Sequence, residues 1–506
     1  MKKKLIALVC AASLALSLAA CGTTGQTGTA DTDINTNTVQ AVSAEVSLEG
    51  ATTLTFTDSG VAASDGDYTG YAVEGTAVTI DGAGTYILTG TCGDGSVTVK
   101  KGTIGVTLVL NGLDLTSADT APITCNKSTE VTIYAAPGSA NVLTDSEQNN
   151  DGEYPDNENA ENAVVKCKDG SRVVLCGTGS LTVNAKGKNG IKSGATTAEE
   201  GEASLTIREL TLTIDAPVND AVNAEQLLNV ESGTVTISAG DDALHSDLTL
   251  NVGAAGADGP TIVINTCCEG IEGATLNICS GDITINATDD CLNAANGDLS
   301  GYDFAMNISG GTIVAYTSGG DGFDSNGDLN ISGGSVTVWS ANSADNQPLD
   351  ADGAISISGG TVLAAGGSSG MDMKLSAEQP CVTFSFGGMG GMGGFGGGSG
   401  GSSLAKGSAF AIAGGDTAVY SGEALCNAGF VFFSSADLTA DSSYDLTSGG
   451  STVATATAQA GSVQTGMGGG PGGMGDFQPG QMPDGDFDPG DRPTPPSGGF
   501  QPGNKQ

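Results

Sequence analysis

The sequence predicts an all-β fold, a parallel β-helix in which short strands stack as a solenoid. Three observations carry this. Turn-then-strand units recur along the chain, among them "GTGSLTVN", "RELTLTID", "ESGTVTIS", "DGPTIVIN", "CSGDITIN", "SGGTIVAY", "SGGSVTVW" and "SGGTVLAA", at a period that wanders between about 20 and 31 residues. Within a unit apolar and polar residues alternate, so that Val235 and Ile237 share one face and Thr234, Thr236 and Ser238 the other. No apolar 3.6-residue pattern persists and 81 glycines are spread through the chain, which argues against helices. Strands this short cannot bury an apolar face alone, but stacked repeats can.

Taken in order, the chain opens on Lys2, Lys3 and Lys4, then an apolar run over residues 5–20 that is short for a membrane span. The run ends in "LAAC", which resembles a bacterial lipobox. Residues 1–20 are therefore expected to be a lipoprotein signal peptide and Cys21 the lipidated residue, anchoring the protein to the extracellular face of the bacterial cell membrane. Residues 21–50, rich in Thr, Gly, Ala and Asp, read as a flexible tether. Residues 51–460 form the β-domain. Its first coils are expected in residues 51–135 ("TYILTG", "VTLVLNG", "VTIYAA") and closing strands in 404–460, with a Gly/Met-rich loop at 387–401. The Gly/Pro/Met/Asp-rich residues 461–506 read as a disordered tail. Ten cysteines follow Cys21, without a CxxC pair. Several lie in strand-like runs and are expected mostly as buried thiols rather than a disulfide framework.

The formal net charge is −41 with a single histidine, which excludes nucleic acid as a partner, because phosphates need Lys and Arg. Inside the repeats a second motif follows each strand: "NGIK", "DAVN", "DALH", "EGIE", "DCLN", "DGFD". Its apolar member, such as Leu244 or Ile271, should point inward. Its leading residue then forms a column along the stack: Asp220, Asp242, Glu269, Asp290 and Asp321, thickened by Asp241 and Asp289. A second column holds His245, Glu272, Asp324, Asp350 and Asp372.

Between residues 209 and 373 there are 23 Asp and Glu and no Lys or Arg. Unit charges ~4 Å apart repel by ~4 kcal/mol near a protein surface, so the counter-charge must come from outside or the groups must lie far apart. Clustered hard oxygen ligands select Ca²⁺. The expected ligands are Asp220, Asp241, Asp242, Glu269, Asp289, Asp290 and Asp321. Turn capping by Asp and Asn would explain one acid per coil, and adjacent pairs less well. No EF-hand loop is present, and "GGDGFD", which matches the start of a β-roll nonapeptide, occurs once without tandem copies.

Together "TYILTG", "VTLVLNGLDLTS", "GSLTVNAKGKNGIKS", "TISAGDDALHSD", "CCEGIEGATLNI", "TINATDDCLNAANG" and "GGDGFDSNGDLNISGGSVTV" resemble a family of bacterial surface carbohydrate-binding proteins. These are right-handed parallel β-helices that bind calcium and are similar in fold to calcium-dependent pectate lyases. The resemblance spans residues 76–365. It implies binding of polysaccharide, cellulose or uronate-containing glycans, with calcium in the acidic cleft. Relatives often carry "DDGI" where this chain has "DDAL" and "DDCL", which alters the cleft.

A lyase of this architecture would use Lys or Arg as the base that removes a proton next to the uronate carboxylate. The nearest candidates are Lys192, on a coil before Asp220, and His245, the single histidine, which sits beside Asp242 and as a lone histidine is more often incidental, so a binding protein is expected. A lyase acting by β-elimination and a structural adhesin are the alternatives. Finally, counting along "SGGTIVAY" and "SGGSVTVW" places Tyr316 and Trp339 outward on successive coils. There they would form a carbohydrate-stacking platform, unless they pack under another segment.

Overall fold

The structure, a computed structural model, describes residues 46–64, 69–341, 346–367, 374–386, 404–461 and 463–464. The expectations for the signal peptide, Cys21, most of the tether, Asp372, the 387–401 loop and the tail beyond residue 464 fall outside these residues. Within them the chain is all-β, with no helix among the described residues.

Most strands pair in parallel with a strand of the next repeat, in three ladders. One runs through Ser180–Asn184, Thr211–Ala216, Thr234–Ala239, Thr261–Thr266, Asp282–Ala287, Thr312–Thr317, Ser335–Ser340 and Thr361–Gly366. A second runs through Ala163–Cys167, Asn189–Ser193, Val222–Ala224, the starts of Leu244–Val252 and Ile271–Ile278, Leu292–Ala294 and Phe323–Ser325. The ends of those two long strands join Arg172–Cys176, Ser204–Ile207, Leu227–Val230, Ala305–Ile308 and Asp328–Ile331 in the third.

Register locks the core. Val235 pairs with Ile262, Ile262 with Ile283, Ile283 with Ile313 and Ile313 with Val336, and every one of them is buried. Because side chains alternate with period two, a one-residue slip would turn each of these columns to solvent. Leu244 and Ile271 stack inward in the same way on the second ladder. All ten cysteines from Cys92 onward are free thiols, eight of them buried.

On the third ladder one asparagine per repeat forms a continuous chain of amide bonds. Asn251 donates to Asn229 at 2.9 Å, Asn277 to Asn251 at 2.9 Å, Asn307 to Asn277 at 3.0 Å and Asn330 to Asn307 at 3.1 Å. The residues responsible, in "DLTLN", "ATLN", "AMN" and "DLN", stand at one position of the repeat. Replacing the middle member, Asn277→Ala, leaves the Asn251 carbonyl and the Asn307 amide without partners. It should cost about 1–3 kcal/mol in denaturant melts; a loss below about 0.5 kcal/mol would mean that water replaces the ladder.

The C-terminal part changes pattern. Thr361–Gly366 pairs antiparallel with Phe430–Ser434, which pairs antiparallel with Cys381–Ser385. A separate antiparallel sheet is ordered Thr417–Glu423, Ala409–Gly414, Ser443–Ser448, Ser451–Thr457. Between this part and the outer face of the last parallel strands lies a second core, built on Trp339, Leu363, Phe384, Phe410 and Phe433.

Candidate functional site

In each repeat the first ladder leads through a short turn into the second, and the acidic motif occupies that turn. Backbone bonds stack the turns on one another. Gly190 donates to the Asp220 carbonyl at 3.0 Å, Ala221 to Asp242 at 2.9 Å, Ala243 to Glu269 at 3.0 Å, Gly270 to Asp290 at 2.9 Å and Cys291 to Asp321 at 3.3 Å. The predicted column is thus assembled residue by residue, its carbonyls used by the stack, while one carboxylate oxygen each of Asp220, Asp290 and Asp321 accepts a backbone N–H, from Asp242, Asp321 and Gln347. Asp220 and Asp242 are buried, Glu269, Asp290 and Asp321 half-buried, and Asp241 and Asp289 exposed on the shoulder. Close stacking needs Gly320, where a Cβ would come within 2.4 Å of carboxylate oxygens of both Asp289 and Asp290.

The second column also forms. His245 pairs with Asn223 on one side and Glu272 on the other, Glu272 with Asn293, and Asn293 with Asp324. Carboxylate oxygens converge within 4.8 Å in Asp220, Asp241 and Asp242, and again in Asp321, Asp324 and Asp350. Between them His245 is clamped by acids: Nδ1 lies 3.1 Å from Asp242 and 2.5 Å from Glu272, and Nε2 lies 2.9 Å from Asp247. Burial alone would lower its pKa, but Asp242, Asp247 and Glu272 override burial and raise it to about 12. These contacts occupy both ring nitrogens of His245 and favour its protonated form.

The carboxyls it does not reach are strained electrostatically. Burial, then Asp242, raises Asp220 to about 6. Burial, then Glu272, raises Glu269 to about 8. Asp290 and Asp321 are each pushed to about 7, chiefly by burial and then by neighbouring acids. Burial and Asp350 take Asp324 to about 6. These groups resist ionising together because no Lys or Arg sits among them, and His245 offsets only part of the crowding at Asp220.

The donor set fits a hard divalent cation. Its two carboxylate clusters offer oxygen atoms only, a third group adds the His245 ring nitrogen to Asp242 and Glu272, and one further oxygen is an orphan: Asn293 donates its amide to Glu269 at 2.8 Å, while its own buried Oδ1 has no partner. A buried carbonyl oxygen without a donor is costly in water-free surroundings, and a cation would satisfy it. Asp220 with Asp241 and Asp242, Asp321 with Asp324 and Asp350, and Glu269 with Asn293 are the residues that would hold such ions. Sequence reasoning placed Asp324 and Asp350 in a column but not among the ligands, and it passed over Asn293. The signal was present, since all three stand at the last position of the recurring motif.

The aromatic platform is corrected by the structure. Tyr316 and Trp339 are in-register partners on successive strands, as the count required. Trp339, however, is completely buried, packed edge-on against Phe410 at 5.9 Å between centroids. Tyr316 is half-buried beside the same core, with the Lys406 ammonium 5.3 Å from its ring centre. The antiparallel C-terminal sheet covers the face on which sugars would stack. Trp339→Ala should accordingly cost about 3–5 kcal/mol of stability, as aromatic truncation in a core does. Calorimetry showing an unchanged melt would restore the surface reading.

Lys192 stands one strand before Asn223 and close to the acid column. It is tied to Glu225 at 3.4 Å and donates to Asn223 at 3.1 Å. No helix among the described residues is long and apolar enough to cross a membrane.

A carbohydrate-binding domain-containing protein of Acetivibrio thermocellus is 33% identical over 186 residues, 36% of this chain and 59% of that protein. The match therefore spans less than two thirds of that relative. The solved structure of the polysaccharide lyase-like protein from C. thermocellum, a gadolinium derivative, aligns with 61% of this chain and 92% of its own at 23% identity and a TM-score of 0.32. The sequence profile of the carbohydrate-binding domain-containing proteins matches residues 74–372, more than half of the chain. On that match, with the parallel ladders and their polar edge, the chain belongs to the carbohydrate-binding domain-containing protein family.

Proposed function

We propose that this protein is a surface lipoprotein that binds polysaccharide, acidic uronate-containing glycans or cellulose, through a calcium-dependent acidic cleft on a right-handed parallel β-helix. The observation that carries the reading is the acid corner. Seven acidic residues, from Asp220 to Asp321, stand on successive stacked turns, and among the described residues no Lys or Arg falls in that stretch. Family membership supports a glycan as the partner. A calcium ion held by protein carboxylates, with a position left open, can bridge to a sugar carboxylate, which lets an acidic protein retain an acidic glycan. The N-terminal basic, apolar and "LAAC" segments support lipid anchoring at Cys21.

We take the protein to be a binder rather than a lyase because both sequence candidates for a base are occupied, His245 by three carboxylates and Lys192 by Glu225 and Asn223. Two assays test this. Retention on immobilised polygalacturonate and on cellulose should be measured in calcium and in chelator, and calcium-dependent retention on polygalacturonate is expected. Ultraviolet absorbance of polygalacturonate incubated with the protein should stay flat. Sustained formation of unsaturated product would replace the binding role with β-elimination.

A further inference from the structure

The outward positions of the second ladder form a single polar stripe whose charge changes sign along its length. In register order it reads Thr98, Thr124, Lys166, Lys192, Asn223 and His245, then continues through Glu272 and Asn293 to Asp324. The acidic end is the cation site described above. The basic end has no assigned role.

Lys166 and Lys192 are direct partners on adjacent parallel strands, so both side chains leave the same face about one strand spacing apart, ~4.8 Å. Lys192 is anchored by Glu225 and Asn223. Lys166 is half-buried and makes no ion pair or side-chain hydrogen bond among the described residues. Its neighbour Glu161 is committed to Lys168 at 2.6 Å. The turn leading into the Lys192 strand adds Lys186 and Lys188, neither of which has an ion pair among the described residues. Burial, and then the Lys192 ammonium, lower the Lys166 pKa, which marks the same unmet need for a counter-ion. In a chain of net charge −41, six of the 17 Lys and Arg fall within residues 166–192. Lys168, Arg172 and Lys192 are paired with Glu161, Glu130 and Glu225, while Lys166, Lys186 and Lys188 have no ion pair among the described residues.

We propose that Lys166 and Lys192 form a carboxylate-binding subsite that grips an acidic sugar directly, without a bridging cation, at the basic end of the stripe. The inference rests on the polysaccharide-binding reading and deepens it. It makes the ligand a uronate-type glycan lying along the stack, with one carboxylate on the lysine pair and the rest of the chain running toward the cation site. Two parallel ammonium groups suit a carboxylate, whose two oxygens can each accept a charge-assisted hydrogen bond.

The test uses the full mature chain, in chelator, so that cation bridging is absent. Titration calorimetry with a galacturonate oligosaccharide and, separately, with a neutral cello-oligosaccharide compares the parent with Lys166→Gln, Lys192→Gln and Lys166→Arg. Lys406→Gln, on a lysine of the C-terminal part away from the stripe, is the control for bulk charge. Loss of one charged hydrogen bond should weaken the acidic ligand about tenfold in either Gln variant. Lys166→Arg and Lys406→Gln should retain parent affinity, and the neutral ligand should be unaffected throughout. Thermal melts identify any variant that has failed to fold, and the other Gln variant then decides. Equal affinity of parent and Gln variants for the acidic ligand overturns the subsite while leaving glycan binding intact. A parent that binds the neutral ligand but not the acidic one does the same. A parent that binds neither, in chelator or in calcium, overturns the polysaccharide-binding reading and the subsite with it.

Discussion

Stripping divalent cations at pH 8 should lower the melting temperature by roughly 3 °C, and calcium should restore it. A ligand at a hundredfold its dissociation constant stabilises the native state by about 2.7 kcal/mol. About 1 kcal/mol moves the melt of a domain of about 400 residues by about 1 °C. The effect should grow with pH. Asp220, Glu269, Asp290, Asp321 and Asp324 hold their protons up to about pH 6–8 in the folded chain, far above the values of free carboxyls. A raised folded-state pKa contributes stability that is complete below the unfolded value, near pH 4, and is lost as pH rises through 6 to 8. Chelated protein should therefore weaken progressively over that range, and calcium should flatten the curve. His245 does not blunt the trend, because its stabilisation fades in the same direction, beginning above its unfolded value near 6.5 and gone toward pH 12. Asp169 and Glu200 run the opposite way, lowered first by their bonds to Lys127 and Lys101, but they sit at the surface where screening leaves them little weight. A chelated protein as stable at pH 8.5 as at pH 5 would show that the corner is not electrostatically strained.

Glu269→Gln should have a paradoxical outcome. Glu269 is pushed to about 8 by burial and then Glu272, so near neutrality the folded chain keeps it as the acid, which glutamine imitates in shape. Its bond from Asn293 survives, since an amide carbonyl also accepts. In chelator at pH 8.5 the variant should be more stable than the parent by at least about 1.4 kcal/mol, the equivalent of one pKa unit. In calcium the order should narrow or reverse, because a ligand has been lost. A variant less stable than the parent in chelator would show that Glu269 is held as a stabilising anion by something other than a bound cation.

Much of this was legible in the sequence because the repeat carries its own register. Period-two alternation put Val235 and Ile237 inside, and they are buried. The recurring post-strand motif put Asp220, Asp242, Glu269, Asp290 and Asp321 in one column, and the backbone bonds between turns follow that order. Trp339 shows the boundary of such reasoning. Alternation tells which face of a strand a side chain leaves, not what covers that face. The cover comes from Ala409–Gly414 and its neighbours, about seventy residues further along the chain. His245 shows another boundary. Its nearness to Asp242 was visible locally, but the Glu272 contact depends on register across 27 residues. The asparagine ladder stood in plain view and needed only the repeats to be aligned on the third strand rather than the first.

The most direct measurement is the calcium content of the protein itself. After equilibration with calcium and gel filtration into cation-free buffer, elemental analysis should find about one or more calcium ions retained per chain, as a carboxylate-rich oxygen site would hold. The double variants Asp220→Asn with Asp242→Asn, and Asp321→Asn with Asp324→Asn, should each retain less while melting cooperatively. Calcium absent from the parent, or retained equally by the parent and both variants, would contradict the assignment of the acid corner as a cation site.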